Sequence, residues 1–419
     1  MNVVSFSCNG ISVNADNSKY TSSLWLDVLR KHANPKQHYH VMLGGGDQIY
    51  SDAVKFVSKQ VMAWTEETDP KKKAQHKKSP TLMEELNNFY LLHYMKWFGK
   101  GFMVGTKCST HHPLFPFALA TIPSVNIYDD HDIIDGFGSY RDETMNGDMF
   151  IAIGNVAYKF YMIFQHHTSP DEELHESDPS WILGEKPGPF IKQKNHSNYV
   201  RLGREIALLG LDCRTERSIH KVVSRETYNA VFTRLEEEIS ANPEIKHLLV
   251  MLGIPIFYPR LAWLEWIFTS KLFKPVRKLA RKGIIVQKGL VNEFDGDVDV
   301  LDDLNDHWCS RDHKPERNQL LLDLINFGAR TGVRITVLSG DVHLACISRI
   351  KTKYHSLPSA HLIRNRDRAI DESNLVVTDT PEYDSRLIFN VISSAIVNLP
   401  PPNGMANLLN QRNKIHHFD

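Results

Sequence analysis

The chain has 419 residues, of which 42% are hydrophobic and 23% charged, and its 49 Lys+Arg balance 49 Asp+Glu. This composition argues against a disordered chain, and a zero net charge gives no signal for a nucleic-acid partner or an acidic lipid surface. Five scattered cysteines (Cys8, Cys108, Cys213, Cys309 and Cys346) with no C-x-x-C pair argue against a zinc ribbon or a disulfide framework, and point to a reducing, cytoplasmic setting.

The first residues, Met1-Asn2-Val3-Val4-Ser5-Phe6, lack a basic region followed by an apolar core, so no signal peptide is expected. They begin a pattern that recurs along the chain, in which short apolar runs end abruptly in small, polar or acidic residues. The runs are 3–6, 40–43, 125–128, 206–211, 248–252, 335–338 and 387–392. Runs of this length, rich in Val and Ile and bounded by turn residues, predict buried strands. The segments 82–98, 227–239 and 315–329 predict helices between them, the last with Pro315 in its first turn. The longest apolar stretch, 149–164, is interrupted by Asn155 and Lys159 and is too short to span a bilayer. Alternating strands and helices predict an α/β fold with ligands at the carboxyl ends of strands. Acids, His, Cys and Arg concentrate at those ends.

Two segments fit this pattern less well. Residues 66–79, with Lys71-Lys72-Lys73 and Lys77-Lys78, read as a solvated loop. Residues 256–282 are rich in Trp, Phe, Lys and Arg and are open to three readings: a core-facing helix, a lid, or a membrane-surface helix. The acidic stretch 295–306 lacks EF-hand spacing and reads as a loop. No Pro/Gly/Ser linker or internal repeat divides the chain. One domain over 1–419 is therefore expected, with a lid or interaction insertion at about 256–306.

Three constellations carry chemistry. In Gly44-Gly45-Gly46-Asp47-Gln48-Ile49-Tyr50, the glycines allow a sharp turn at a strand end, and Asp47 and Tyr50 share a side if a helical turn begins there. A carboxylate and a phenolate suit a ferric or similar ion; the plain alternative is a glycine turn with Asp47 as an N-cap. Asp129-Asp130-His131-Asp132 places four titratable groups at a buried strand end, which is costly unless they bind a cation or one another. Asp341 and His343, two apart, project to one side of an extended chain. Arg214, after Asp212-Cys213, offers a guanidinium to a phosphate or to a structural ion pair. His111-His112, His166-His167 and His416-His417 have no carboxylates to work with and read as solvated or helix-end residues. Neither a P-loop nor a serine-hydrolase motif occurs.

Taken in order, Ser7-Cys8-Asn9, Gly46-Asp47-Gln48-Ile49-Tyr50, Asp129-Asp130-His131-Asp132, Leu211-Asp212-Cys213-Arg214 and Ser339-Gly340-Asp341-Val342-His343 resemble the PhoD-like branch of the metallophosphatase superfamily. Residues 255–308 are similar to its fungal-type members. The resemblance implies an α/β/β/α sandwich with two mixed sheets flanked by helices, and metal-dependent hydrolysis of a phosphomonoester or phosphodiester by a metal-activated water. It implies a ferric ion on Cys8, Asp47 and Tyr50, and a second metal (calcium or another divalent cation) that Asp47 bridges. Asp130, Asp135, Asp341 and His343 complete the metal set. Asp135 stands where the family has Asn, which adds charge. His131 is the implied acid, Arg214 the phosphate holder, and His343 a catalytic residue as well as a ligand. A phosphate ester is the implied substrate. The competing reading is a catalytically silent scaffold or partner-binding module on this fold, with residues 256–282 open to a peripheral membrane contact. The sequence gives no oligomeric state.

Overall fold

All seven apolar runs form strands. β1 (Val3–Phe6), β2 (Val41–Gly45) and β3 (Ser124–Ile127) make a sheet in the order β1-β2-β3, parallel throughout. The second sheet is mixed and has seven strands: β4 (Trp181–Pro187), β5 (Lys194–Arg201), β6 (Ile206–Gly210), β7 (His247–Met251), β8 (Arg334–Ser339), β9 (Cys346–Ile350) and β10 (Ile388–Ile392). Its order is β4-β5-β6-β7-β8-β10-β9, with β6, β7, β8 and β10 parallel and the outer strands antiparallel. The computed structural model describes residues 1–11, 23–67, 69–73, 75–100, 114–170, 179–258, 306–351, 384, 386–398 and 403–411. The aromatic-basic segment 256–282 beyond residue 258, and the acidic stretch before Asp306, lie outside the described residues.

The expected helices are present among eleven in the described residues. α1 (Trp25–His32), α2 (Val54–Val57), α3 (Lys59–Glu66), α4 (Pro70–Lys73), α5 (Pro80–Lys100) and α6 (Leu114–Thr121) precede β3. α7 (Asp142–Met145), α8 (Asp148–Gln165), α9 (Arg225–Ala241), α10 (Lys314–Thr331) and α11 (Asn403–Gln411) follow it. The apolar stretch 149–164 is α8, a core helix that buries Phe150, Ile153, Val156 and Tyr161. No described helix is long and apolar enough to cross a membrane. The lysine-rich segment includes the one-turn helix α4, where Pro70 at the start fits the first turn.

Strand alternation sorts side chains into four cores. Val41, Leu43 and Ile127 of the small sheet meet Leu208, Met251 and Leu338 of the large one between the sheets. Met42, pointing the other way, joins Phe6, Trp25, Phe115 and Ala118 under α1 and α6. The outer face of the large sheet, with Leu248, Val250, Ile335 and Val337, is covered by Leu235, Leu321 and Leu324 of α9 and α10. A further core joins α5 and α8. Helices therefore flank two facing sheets, an α/β/β/α sandwich. Leu208 is fully buried between the sheets, so truncating it to alanine would cost about 2–5 kcal/mol.

Candidate metal centre and active site

The functional side chains sit on the turns that leave the carboxyl ends of parallel strands in both sheets. The chain bends there without glycine. Cys8, Asp47, Asp341 and His343 adopt left-handed backbone, with φ of 55°, 55°, 65° and 55°. Such conformations carry strain of order 1–3 kcal/mol each and persist where the surroundings fix them. Glycine enters where space, not only φ, demands it. A Cβ on Gly46 (φ 107°) would lie 2.5 Å from the Asp129 Cβ, so the β2 and β3 turns touch there. Asp341 and His343 lie on a left-handed loop rather than an extended one, so the alternation that aligns residues two apart does not apply to them. Tyr50 comes before, not within, the 3₁₀ turn Ser51–Ala53, and Asp47 caps no helix.

The chain's two ends meet at this site. Ser7 bridges Ala395, and the Cys8 carbonyl accepts from Val397 N at 3.3 Å. Asn398 Nδ2 donates to the Tyr50 hydroxyl at 3.0 Å.

Two groups bring carboxylate and imidazole donor atoms mutually within 4.8 Å: Asp47, Asp130 and Asp341, and Asp130, His131 and Asp135. Asp130 belongs to both. Burial pushes the Asp47 carboxyl well up, and Asp130, Asp129 and Asp341 push it further against the pull of His131. Burial likewise raises Asp341, with Asp129 and Asp130 adding to it. Asp47 Oδ1 is buried with no hydrogen-bond partner. Oxygens gathered this closely repel one another unless a cation joins them, and the orphaned Oδ1 is an acceptor with nothing to accept. The donor set fits a hard cation or a pair of them. Cys8 Sγ lies 3.6 Å from Asp47 Oδ2, and the Tyr50 ring stacks on His131 at 4.2 Å. Cys8 and His343 stand outside both close groups. Burial raises the Cys8 thiol, and Asp47 and Asp341 raise it further.

The acidic run divides its labour. Asp129 and Asp132 form a reciprocal capping box around the 3₁₀ turn Asp130–Asp132. Asp132, fully buried, also accepts from Asp47 N at 2.8 Å, Ile49 N at 3.3 Å and Gln165 Nε2 at 3.2 Å, and so ties the β2 turn to the β3 turn. Burial moves its carboxyl up to about 7. His131 Nδ1–H donates to Asp52 Oδ2 at 2.8 Å, and its Nε2 lies 3.9 Å from Asp135 Oδ1. Burial opposes protonation of this ring, but Asp52, Asp130 and Asp135 outweigh it and raise its pKa well above that of ordinary histidine. Asp52, held down by His131 against its own burial, went unremarked in the sequence although it lies five residues past Asp47.

Arg214 requires a correction. It is fully buried, and all five of its N–H groups have acceptors. Nε donates to Asp129; Nη1 donates to the Phe137 carbonyl at 3.1 Å and to Asp306 at 2.8 Å. Nη2 reaches Asp306 at 2.6 Å and Asp130 at 3.4 Å. No donor remains for a phosphate, because the turn after β6 aims the fork inward at the carboxylates. Asp306, also bound by Arg217 at 2.9 Å, is the second residue that sequence reasoning missed, hidden at the end of an acid-rich stretch. Burial would raise its carboxyl, but Arg214 and Arg217 hold it well below the usual range.

The family model described as PhoD related phosphatase matches residues 1–271 and 267–363. An uncharacterized protein of Saccharomyces cerevisiae is 50% identical over 426 residues, an alignment that covers 100% of this chain and 60% of the yeast protein. The chain thus spans about three-fifths of that relative's length.

Proposed function

Starting from a chain that belongs to the PhoD-related phosphatase family, we propose that it hydrolyses phosphate esters, mono- or diesters, with cations held by Asp47, Asp130, Asp341 and the neighbouring Asp135 and His343. The observation that carries this reading is the meeting of Asp47, Asp130 and Asp341 at strand ends from both sheets, with the buried Asp47 Oδ1 unpartnered. Cys8 and Tyr50, beside Asp47, are the proposed ferric ligands, and calcium or another divalent ion is proposed beside them. Bound cations would neutralise phosphoryl charge and lower the pKa of a nearby water.

The protein's own groups do the rest. Asp52 fixes the His131 ring through Nδ1 and keeps it protonated, and the proton on Nε2 is then the one that the leaving oxygen takes as its bond to phosphorus breaks. The Tyr50 ring, stacked on the imidazole, restrains it from the other side. Arg214 positions Asp129 and Asp130, and Asp132 sets the spacing of the Asp47 and Asp130 turns. The segment 256–306 is proposed as an insertion within one domain; Asp306, its last residue, pairs with Arg214.

The test is hydrolysis of bis-p-nitrophenyl phosphate and p-nitrophenyl phosphate by purified protein with iron and calcium supplied. Metal content is measured in parallel. Turnover that vanishes in Asp47→Asn, together with lost metal, supports the reading. Asp47→Asn with full metal and full activity refutes the assignment.

A further inference from the structure

The helical side of the site carries apolar residues that the core does not use. Phe56 and Val57 of α2, Leu91, Leu92 and Met95 of α5, and Phe117 of α6 are exposed, from 39% at Leu91 to 63% at Val57. These helices are neighbours: α2 and α6 both pack against α5. α5 is therefore apolar on two sides. Its inner side is buried through Phe89, His93, Tyr94 and Trp97, and its outer side repeats Leu91, Leu92 and Met95. A soluble helix normally has a polar outer stripe there, and a contiguous exposed apolar face marks an interaction surface.

Charge narrows the choice of partner. No Asp or Glu occurs between Asp52 and Glu66, or between Glu85 and Asp129, and these stretches supply the exposed Lys59, Lys96 and Lys100. The exposed apolar residues of this face lie among lysines, with Glu84 and Glu85 confined to the amino-terminal part of α5, and an apolar helical surface flanked by lysines is the pattern that seats in an anionic lipid interface. A second copy of this chain would bring apolar partners but set the lysines against like charges, and an acidic protein would leave the large apolar side chains without apolar partners. Since no described helix is long and apolar enough to cross a membrane, the contact is interfacial. The face also adjoins the site. The turn Ser51–Ala53, which holds Asp52 against His131, runs directly into α2, and His93 of α5 bonds to the Tyr50 carbonyl at 2.8 Å.

We infer that α2, α5 and α6 form a docking face for an anionic lipid surface and present the site to phosphate esters at that surface. The docking stands by itself; only the link to an interfacial substrate rests on the phosphoesterase reading. The experiment is sedimentation of the full chain with phosphatidylcholine vesicles, with and without phosphatidylserine. Wild type and the variant Phe56→Ser/Val57→Ser/Leu92→Ser/Met95→Ser are compared, with bis-p-nitrophenyl phosphate hydrolysis measured on the same preparations. Wild type should prefer the anionic vesicles and release with salt. The variant should partition on the order of a hundredfold more weakly, while turnover of the soluble ester is unchanged. Wild type that ignores vesicles, or a variant that binds as well as wild type, overturns the inference. So does a wild-type dimer that the variant dissolves, since the face would then belong to a second copy. Should the quadruple variant not fold, Lys59→Glu/Lys96→Glu carries the same test. Loss of vesicle binding with turnover intact concerns only the docking face; absent turnover in wild type concerns only the chemistry.

Discussion

Replacing Arg214 by lysine separates two roles that a guanidinium can have at this site. Lysine keeps the charge but offers three rotatable donors instead of five in a fixed fork. In the structure the five donors serve Asp129, Asp130, Asp306 and the Phe137 carbonyl. At least two of these bonds must go, and a lost hydrogen bond to a charged group costs about 1.5–3 kcal/mol, so Arg214→Lys should lose about 3–6 kcal/mol. Over 419 residues, at about 2.1 cal/mol/K per residue, the unfolding entropy is on the order of 0.9 kcal/mol/K, which turns that loss into a fall in Tm of about 3–7 °C. Differential scanning calorimetry of wild type and variant reads it directly. A guanidinium whose task was to grip substrate would give the opposite pattern, with Tm within about a degree and the loss confined to KM. That result would refute the account of Arg214 as the tie between carboxylates.

Asp52→Asn removes the strongest attraction holding the proton on His131. The alkaline limb of the pH–rate profile should therefore move to lower pH, and kcat should fall by about tenfold to a hundredfold; an unmoved limb would leave His131 without its proposed role. Gly46→Ala adds a Cβ that would lie 2.5 Å from the Asp129 Cβ at a φ of 107°, and about 1–3 kcal/mol of stability together with bound metal should be lost, as read by thermal melting and metal analysis. His313 is fully buried, and burial lowers its pKa to about 4 from the ordinary histidine value of 6.5, so the unfolded chain takes up this proton first as pH falls. Its contribution is intact above pH 6.5 and is lost towards pH 4, at about 1.4 kcal/mol per pH unit. His313→Gln should flatten the urea-derived stability profile by that slope, and an unchanged slope would show that His313 is not the titrating group.

The parallel strands were readable because burial on both faces writes them as continuous apolar runs, as at 206–211 and 335–338. β5 was not, because its Asn195, Ser197 and Asn198 are buried against polar partners. Asn195 donates to the Asp212 carbonyl, and Ser197 Oγ accepts from Asp212 N. β9 is mostly exposed and has no apolar run to betray it. At the site, the residue types of Asp47, Asp130 and Asp341 announced themselves through their motifs. The choice between phosphate holder and structural ion pair for Arg214, and the individual role of Asp132, stayed open for a common reason. Sequence shows which charges sit at a strand end but not which way they face, and both of these turn inward. Asp306 and Asp52 matter through distant partners, among them Arg214 and His131 at 92 and 79 positions, a separation no local pattern encodes.

The meeting of residues 7–8 with 395–397 and of Tyr50 with Asn398 sets an order of assembly. During synthesis the amino-terminal sheet can form its own ladder once β3 has emerged, yet the walls beside Cys8 and Tyr50 wait for residues made hundreds of positions later. A nascent chain thus cannot complete the walls of the acidic cluster until β10 and the turn after it are in place, and contacts of such long sequence separation are the slow ones to close. A ribosome stalled before residue 393 would hold a protein with most of its core and an unfinished acidic cluster.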